Sequence, residues 1–240
     1  MNIQPLIHNV TDQISHIILN RPEKRNALSF DLVERLHECV DSAHEAGHLA
    51  IIIEGEGKNF SAGFDFYDTE HASESDLRWR FIRIQQLLSK ITRSPLVTVA
   101  LGHGKNFGAG VDLLAACQWR IASRDSSFRM PGLKFDLLLG SARFAALVGA
   151  QKAQQILEQS ATFDAAHALE MGFLSQLADQ EEWGSIKQKA ITTASALSPN
   201  ARRLLQAAIT SHDYDKDMSL LIESLSMPGL QGRIERYLKS

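Results

Sequence analysis

Three short apolar runs, ISHIILN (14–20), LAIIIEG (49–55) and LVTVAL (96–101), recur with helical segments between them, and that alternation leaves few folds open. The first run is rich in β-branched residues and ends at Arg21-Pro22, which reads as a strand followed by a turn. Ser29 then suits the N-cap of a helix running to about Glu45, with Phe30, Val33, Leu36, Val40 and Ala43 at three- and four-residue steps and Gly47 as its stop. A second helix is predicted over 76–92, with Phe81, Ile84, Leu88 and Ile91 on one face. LVTVAL is apolar almost throughout, as a strand buried on both faces must be. A glycine-rich turn, a helix over about 109–116 and the strand WRIAS (119–123) come next. Strand–helix–strand alternation of this kind predicts an α/β core with right-handed crossovers. From Ser141 onward helical patterns dominate, broken at Gly172, Ser198-Pro199 and Pro228-Gly229, which predicts a C-terminal helical part.

Composition narrows the function classes. The chain of 240 residues is 44% hydrophobic and 22% charged, with ample core-forming material. A net charge of −3 gives no global electrostatic reason for a nucleic-acid partner. Arg78, Arg80 and Arg83 fall within one helical segment and read as a solvated face. Cys39 and Cys117 each sit in an apolar helix pattern without C-x-x-C spacing, so zinc and thiol redox chemistry are unsupported and no metal site is expected. The opening MNIQPLIHNVTDQ lacks a basic region followed by an apolar run, and no stretch approaches membrane-spanning length, so a cytoplasmic protein is expected.

Two stretches share a frame: GKNFSAGFDF at 57–66 and GKNFGAGVDL at 104–113. Each follows a predicted strand, and each carries glycine where a side chain would block approach to backbone N–H groups. The second opens directly into a helix, whose first N–H groups have no intrahelical partner. Side by side, two such turns could each donate one N–H to a single oxyanion. Neither string matches a phosphate-binding motif.

The segments ILNRPEKRNALS (18–29), FSAGFD (60–65), GAGVDLLAAC (108–117), FRMPGLKFDLLLG (128–140) and TFDAAHALEMGFLS (162–175) stand in an order and at spacings that resemble the crotonase, or enoyl-CoA hydratase/isomerase, superfamily. The resemblance runs from about residue 10 to about residue 238. It implies an α/β fold, a crotonase-like spiral of ββα units over 1–195, with a C-terminal helical trimerisation region over 196–240 and a homotrimer or hexamer as the assembly. It implies an acyl-CoA thioester as substrate, with coenzyme A as part of that substrate and no separate cofactor. The oxyanion-hole amides implied are those of Phe64 and Ala109, flanked by Ala62, Gly63, Asp65 and Gly108. The loop holding Lys24, Arg25 and Ala27 matches the family's CoA-contacting region.

The pattern breaks at the acid/base groups. Hydratases of this family use two glutamates around a water, and the matching positions here are Asp112 and Gly132, one carboxylate shortened and the other absent. Activating a water and delivering a proton needs two groups, so two-glutamate hydration is disfavoured. Isomerases of the family rely on a single carboxylate, mostly at the position of Gly132. Asp112 is therefore the first acid/base candidate, although an Asp in a first helical turn is favourable through the dipole alone. Asp136, where the family has a small residue at the acyl pocket, is the second. His103 reads as a strand-end residue bonded to backbone, and Arg143 as support for a shortened loop. Two alternatives stay open: a catalytically impaired CoA-ester-binding or assembly protein, and a thioester hydrolase using Ser61 and His103, although Ser61 lacks the G-x-S-x-G setting.

Overall fold

The computed structural model of this protein describes residues 4–209 and 213–240. Residues 1–3 and 210–212, which fall within the two regions expected above, lie outside the described residues. In chain order come β1 (Leu6–Thr11), β2 (Ile14–Leu19), α1 (Phe30–Glu45), β3 (Ala50–Gly55), α2 (Glu74–Thr92), β4 (Val97–Gly102), β5 (Lys105–Phe107), α3 (Ala109–Ala116), β6 (Trp119–Ala122) and β7 (Ser127–Arg129). Then follow α4 (Ser141–Val148), α5 (Ala150–Gln159), β8 (Phe163–Asp164), α6 (Ala165–Glu170), β9 (Gln176–Leu177), α7 (Trp183–Ser195), α8 (Pro199–Ile209), α9 (Tyr214–Ser226) and α10 (Leu230–Lys239). A six-stranded sheet runs in the order β1-β2-β3-β4-β6-β9, parallel except for the β1–β2 hairpin. A three-stranded sheet, β5-β7-β8, stands beside it. This is the α/β architecture with C-terminal helices that the sequence predicts.

The sheet is buried on both faces, which explains its near-continuous apolar strands. Ile51 and Ile53 of β3 face a core shared with α1, α2 and α3, while Ala50 and Ile52 face a second core closed by Trp183, Ile186, Ala190 and Ala194 of α7. Helix α1 starts where expected, with the Ser29 hydroxyl accepting from the Leu32 amide at 3.3 Å. Its buried stripe runs through Leu32, Val33, Leu36, Val40 and Ala43; Phe30, expected on that face, is the first helical residue and lies exposed. Helix α2 is capped by Ser73, whose hydroxyl accepts from the Asp76 amide at 3.1 Å while the Asp76 carboxylate reaches back. Arg83 bridges to Glu34 of α1 and Arg78 pairs with Glu74 within α2, so this arginine face is ion-paired rather than free in solvent.

Strand β1 has no counterpart in the sequence reading. It is an edge strand with mostly exposed positions, and its tight turn uses Asp12 and Gln13 at φ 52° and 62° rather than glycine. At the other end of the chain, Leu221 and Leu225 of α9 and Leu230 and Ile234 of α10 enter the same core as the sheet. Arg233 ties α10 down, donating to the carbonyls of Phe135, Asp136, Ser224 and Met227 at 3.0–3.1 Å. No helix among the described residues is long and apolar enough to cross a membrane.

Candidate active site

The two GKNF stretches converge on a cavity of about 210 Å³. Its wall includes Arg25, Ala62, Phe64, Gly108, Ala109, Asp112 and Gly132, so seven of the expected site residues meet at one place. The first turn is held by the loop before α1: the Ala62 amide donates to the Arg25 carbonyl at 2.8 Å and the Ser61 hydroxyl donates to the Asn26 carbonyl at 2.8 Å. The second turn is stitched to the first by the Phe107 amide, which donates to the Ser61 carbonyl at 3.2 Å. Contact between the turns is close enough to require glycine. A Cβ on Gly63, whose φ is +83°, would overlap the Phe107 carbonyl and stand 3.1 Å from the Ala109 nitrogen.

Neither the Phe64 nor the Ala109 amide donates a hydrogen bond within the described residues. For Ala109 the reason is local, since the first residue of α3 has no acceptor four residues back in the helix. Both residues line the cavity and both are buried. Two donors without acceptors, at the wall of a largely apolar space, are suited to an incoming oxygen that carries negative charge.

Asp112 lies one turn into α3, a helix buried all round. Its side chain is 2% exposed, and Oδ1 has no hydrogen-bond partner. Gly140, at φ +67°, leaves the space that the carboxyl fills; any Cβ there would overlap it. Burial pushes the Asp112 carboxyl well above the usual carboxylate range, with Arg143 pulling the other way and Asp217 adding to the rise. Asp112 is the one acidic residue on the cavity wall among the described residues.

The rest of the wall mixes aliphatic side chains with a cluster of aromatic ones. Phe64 stacks on Phe81 with centroids 4.1 Å apart and meets Phe66 edge-on at 5.1 Å. Phe135 and Tyr237 pack at 5.0 Å, bringing the last helix, α10, to the cavity. Sequence reading missed Phe66, Phe81, Phe135 and Tyr237 as wall residues. Only the concentration of Phe around the motifs hinted at them.

Other expected site residues stand elsewhere. Asp136 is exposed at the end of the 3-10 turn Gly132–Phe135, at φ 55°, and is absent from the cavity wall. The left-handed residue ending that turn points its side chain outward, and the acyl-pocket place expected for it is taken by Phe135, Leu137 and Leu139. Asp65 pairs with Arg21 at 2.7 Å and accepts from the Tyr67 amide, so it serves its own turn. Lys24 lies over the Tyr67 ring at 4.6 Å, outside the wall, and Ala27 and Gly63 are buried behind it. Gly132 is confined by its own turn, where a Cβ would stand 2.8 Å from the Leu137 carbonyl oxygen.

The hydrolase pair does not form around the cavity. The Ser61 hydroxyl is committed to Asn26 and to the Gly63 amide, and neither Ser61 nor His103 is on the wall. His103 is bonded through Nε2 to the Gly57 carbonyl at 2.9 Å, and burial holds it below the usual imidazole range. Cys39 and Cys117 are buried free thiols, pushed up by that burial to about 11 and about 12.

The same fold is found in the enoyl-CoA hydratase of Bacillus halodurans, which is 21% identical, with a TM-score of 0.84 over 97% of this chain and 100% of that one. A solved structure from Bordetella parapertussis, described with the enoyl-CoA hydratase/isomerases, is 45% identical with a TM-score of 0.97, covering 98% of this chain and 99% of the other. A Bacillus subtilis protein described as a probable enoyl-CoA hydratase is 32% identical over 220 residues, 89% of this chain and 85% of that one. The enoyl-CoA hydratase/isomerase family description matches residues 9–225, and the chain belongs to that family.

Proposed function

We infer that this protein acts on an acyl-CoA thioester by holding the thioester carbonyl oxygen on the amides of Phe64 and Ala109 while Asp112 carries a proton. The observation that supports this most is the pair of acceptorless amides on one cavity wall with a single buried carboxyl. In its ionised form Asp112 takes a proton from a carbon conjugated with the thioester. The C–H electron pair moves into an enolate, and the two amides hold the oxygen that gains the charge. Returning the proton to a different carbon moves the double bond. A mechanism with two opposed carboxylates around one water does not fit, because Gly132 supplies no acid. The chemistry is thus isomerase-like or another enolate reaction of this family.

Arg25 at the cavity wall offers a guanidinium to the phosphates of the CoA portion, and no separate cofactor is invoked. Leu204, Leu205 and Ile209 expose an apolar face of α8, which we assign to contact with further copies of this chain in a trimer or hexamer; sedimentation as a monomer would refute that assignment.

The deciding experiment sets wild type beside Asp112→Asn. Both are titrated calorimetrically with saturated acyl-CoAs and assayed against a panel of enoyl-CoAs of different chain length and double-bond position. Binding by both, with turnover by wild type alone, is the expected result. Binding without turnover across the panel would instead identify a CoA-ester-binding protein, and failure to bind any CoA ester would overturn the reading.

A further inference from the structure

Five aromatic side chains of the cavity wall form one connected set. Phe81 of α2 stacks on Phe64 at 4.1 Å with the planes 13° apart, and Phe64 meets Phe66 edge-on at 5.1 Å. Phe66 then reaches Phe135 at 6.1 Å, almost perpendicular at 82°, and Tyr237 of α10 at 6.2 Å. Phe135 and Tyr237 close the set at 5.0 Å. All five line the cavity, although aromatic residues make up only 7% of the chain. The cavity also has a direction. Its exposed wall residues, Arg25, Leu133 and Leu238, mark a mouth, and the buried Met130, Leu137 and Leu139 mark a blind end.

Size and chemistry together limit what such a space takes. An apolar cavity of about 150 Å³ holds one benzene ring. At about 210 Å³ this one has room for a ring and a short link from it to a thioester. Phe64 supplies both an acceptorless amide and a ring of the set, so an oxygen held on that amide places the acyl group beside the rings. An aromatic ring there makes edge-to-face and offset contacts that neither a methylene chain nor a saturated ring makes. It also has few torsions to freeze, unlike a linear chain folded into a blind cavity. We propose that the acyl group selected by this protein carries an aromatic ring on a short link, seated among Phe64, Phe66, Phe81, Phe135 and Tyr237, which are its specificity-determining residues. The inference rests on the reading of this cavity as the acyl-CoA site and adds the class of acyl group.

The test is calorimetric titration of the protein with 3-phenylpropanoyl-CoA, 3-cyclohexylpropanoyl-CoA and nonanoyl-CoA, none of which has a double bond to move. The acyl groups have equal numbers of carbons, and the phenyl ester is the least apolar, so apolar burial alone would rank it last. The expected order puts it first: about 2–10-fold tighter than the cyclohexyl ester through ring–ring contacts, and about tenfold or more tighter than the linear one. Phe66→Leu and Tyr237→Leu each remove a ring that is only half-buried, so both variants are expected to fold. Each should lower the phenyl-to-cyclohexyl affinity ratio while the cyclohexyl ester still binds. Cyclohexyl or nonanoyl binding as tight as phenyl binding in the wild type would overturn the proposal, as would a ratio unchanged in both variants. Failure of all the esters to bind would overturn the acyl-CoA reading and the proposal with it, whereas binding without a phenyl preference overturns the proposal alone, so the two failures are distinguishable.

Discussion

The frame G-K-N-F-x-A-G-x-D occurs twice, and the two copies fold differently. Residues 57–60 form an irregular turn after β3, whereas Lys105–Phe107 of the second copy is strand β5, paired in parallel with β7. The same four letters take two conformations because β7 lies beside one copy and not the other. The copies also grip each other. The Phe60 amide donates to the His103 carbonyl at 3.0 Å, and the Lys105 amide donates to Asn59 Oδ1 at 2.9 Å. Their aspartates have opposite fates. Asp65 is paired with Arg21 at 2.7 Å, while Asp112 is buried with Oδ1 bare at the cavity wall. Even the acceptorless amides are out of register, since Phe64 is the eighth residue of its copy and Ala109 the sixth of the other. A repeated string is thus no evidence for a repeated unit; the surroundings decide what each letter does.

The sharpest test of that asymmetry is to make the same change in both copies. Asp112→Asn is expected to lower turnover by about 10²–10⁴-fold, the usual range for a proton-transfer group, with acyl-CoA binding retained. It should also alter stability against pH in a definite direction. With a folded-state value raised above 3.8, Asp112 binds its proton more tightly folded than unfolded, so its contribution is full below 3.8 and is lost as pH climbs from there through the raised folded-state value. Denaturant melts of Asp112→Asn should lack that loss, leaving the variant at least as stable as wild type at neutral pH. A variant less stable at pH 8 than at pH 4 by the same margin as wild type would contradict this.

Gly63→Ala comes next. It forces a Cβ into the Phe107 carbonyl at a left-handed φ, and a loss of about 2–4 kcal/mol in chemical denaturation is expected. Asn106→Ala should cost about 1–3 kcal/mol, because the buried Asn106 amide donates to the carbonyls of Gly104 and Ser127. Asp65→Asn keeps shape but loses the ion pair, so a drop of about 1 kcal/mol with turnover largely preserved is expected. Equal turnover losses in Asp65→Asn and Asp112→Asn would erase the contrast between the copies. The smallest effect belongs to Asp136→Asn, expected within about 0.5 kcal/mol of wild type and with unchanged turnover, since its side chain is exposed away from the wall.

The sequence by itself determined the alternation of buried strands and helices, and it marked the two turns that meet at the cavity. Those signals are local: apolar runs, helical periodicity, the Ser29 cap and glycines that permit close backbone approach. It also supplied Asp112 as the first acid/base candidate and Asp136 as the second. Only the tertiary structure could separate these, because each carboxyl is defined by neighbours distant in the chain. Asp112 is enclosed by Gly140 and within the field of Arg143 and Asp217, whereas Asp136 caps a turn facing solvent. The aromatic wall was hidden for the same reason, as Phe64, Phe81, Phe135 and Tyr237 come from four elements that no periodicity links. Local patterning fixes which segments are buried; which charges and rings then face one another depends on long-range packing, and packing decides the chemistry of Asp112.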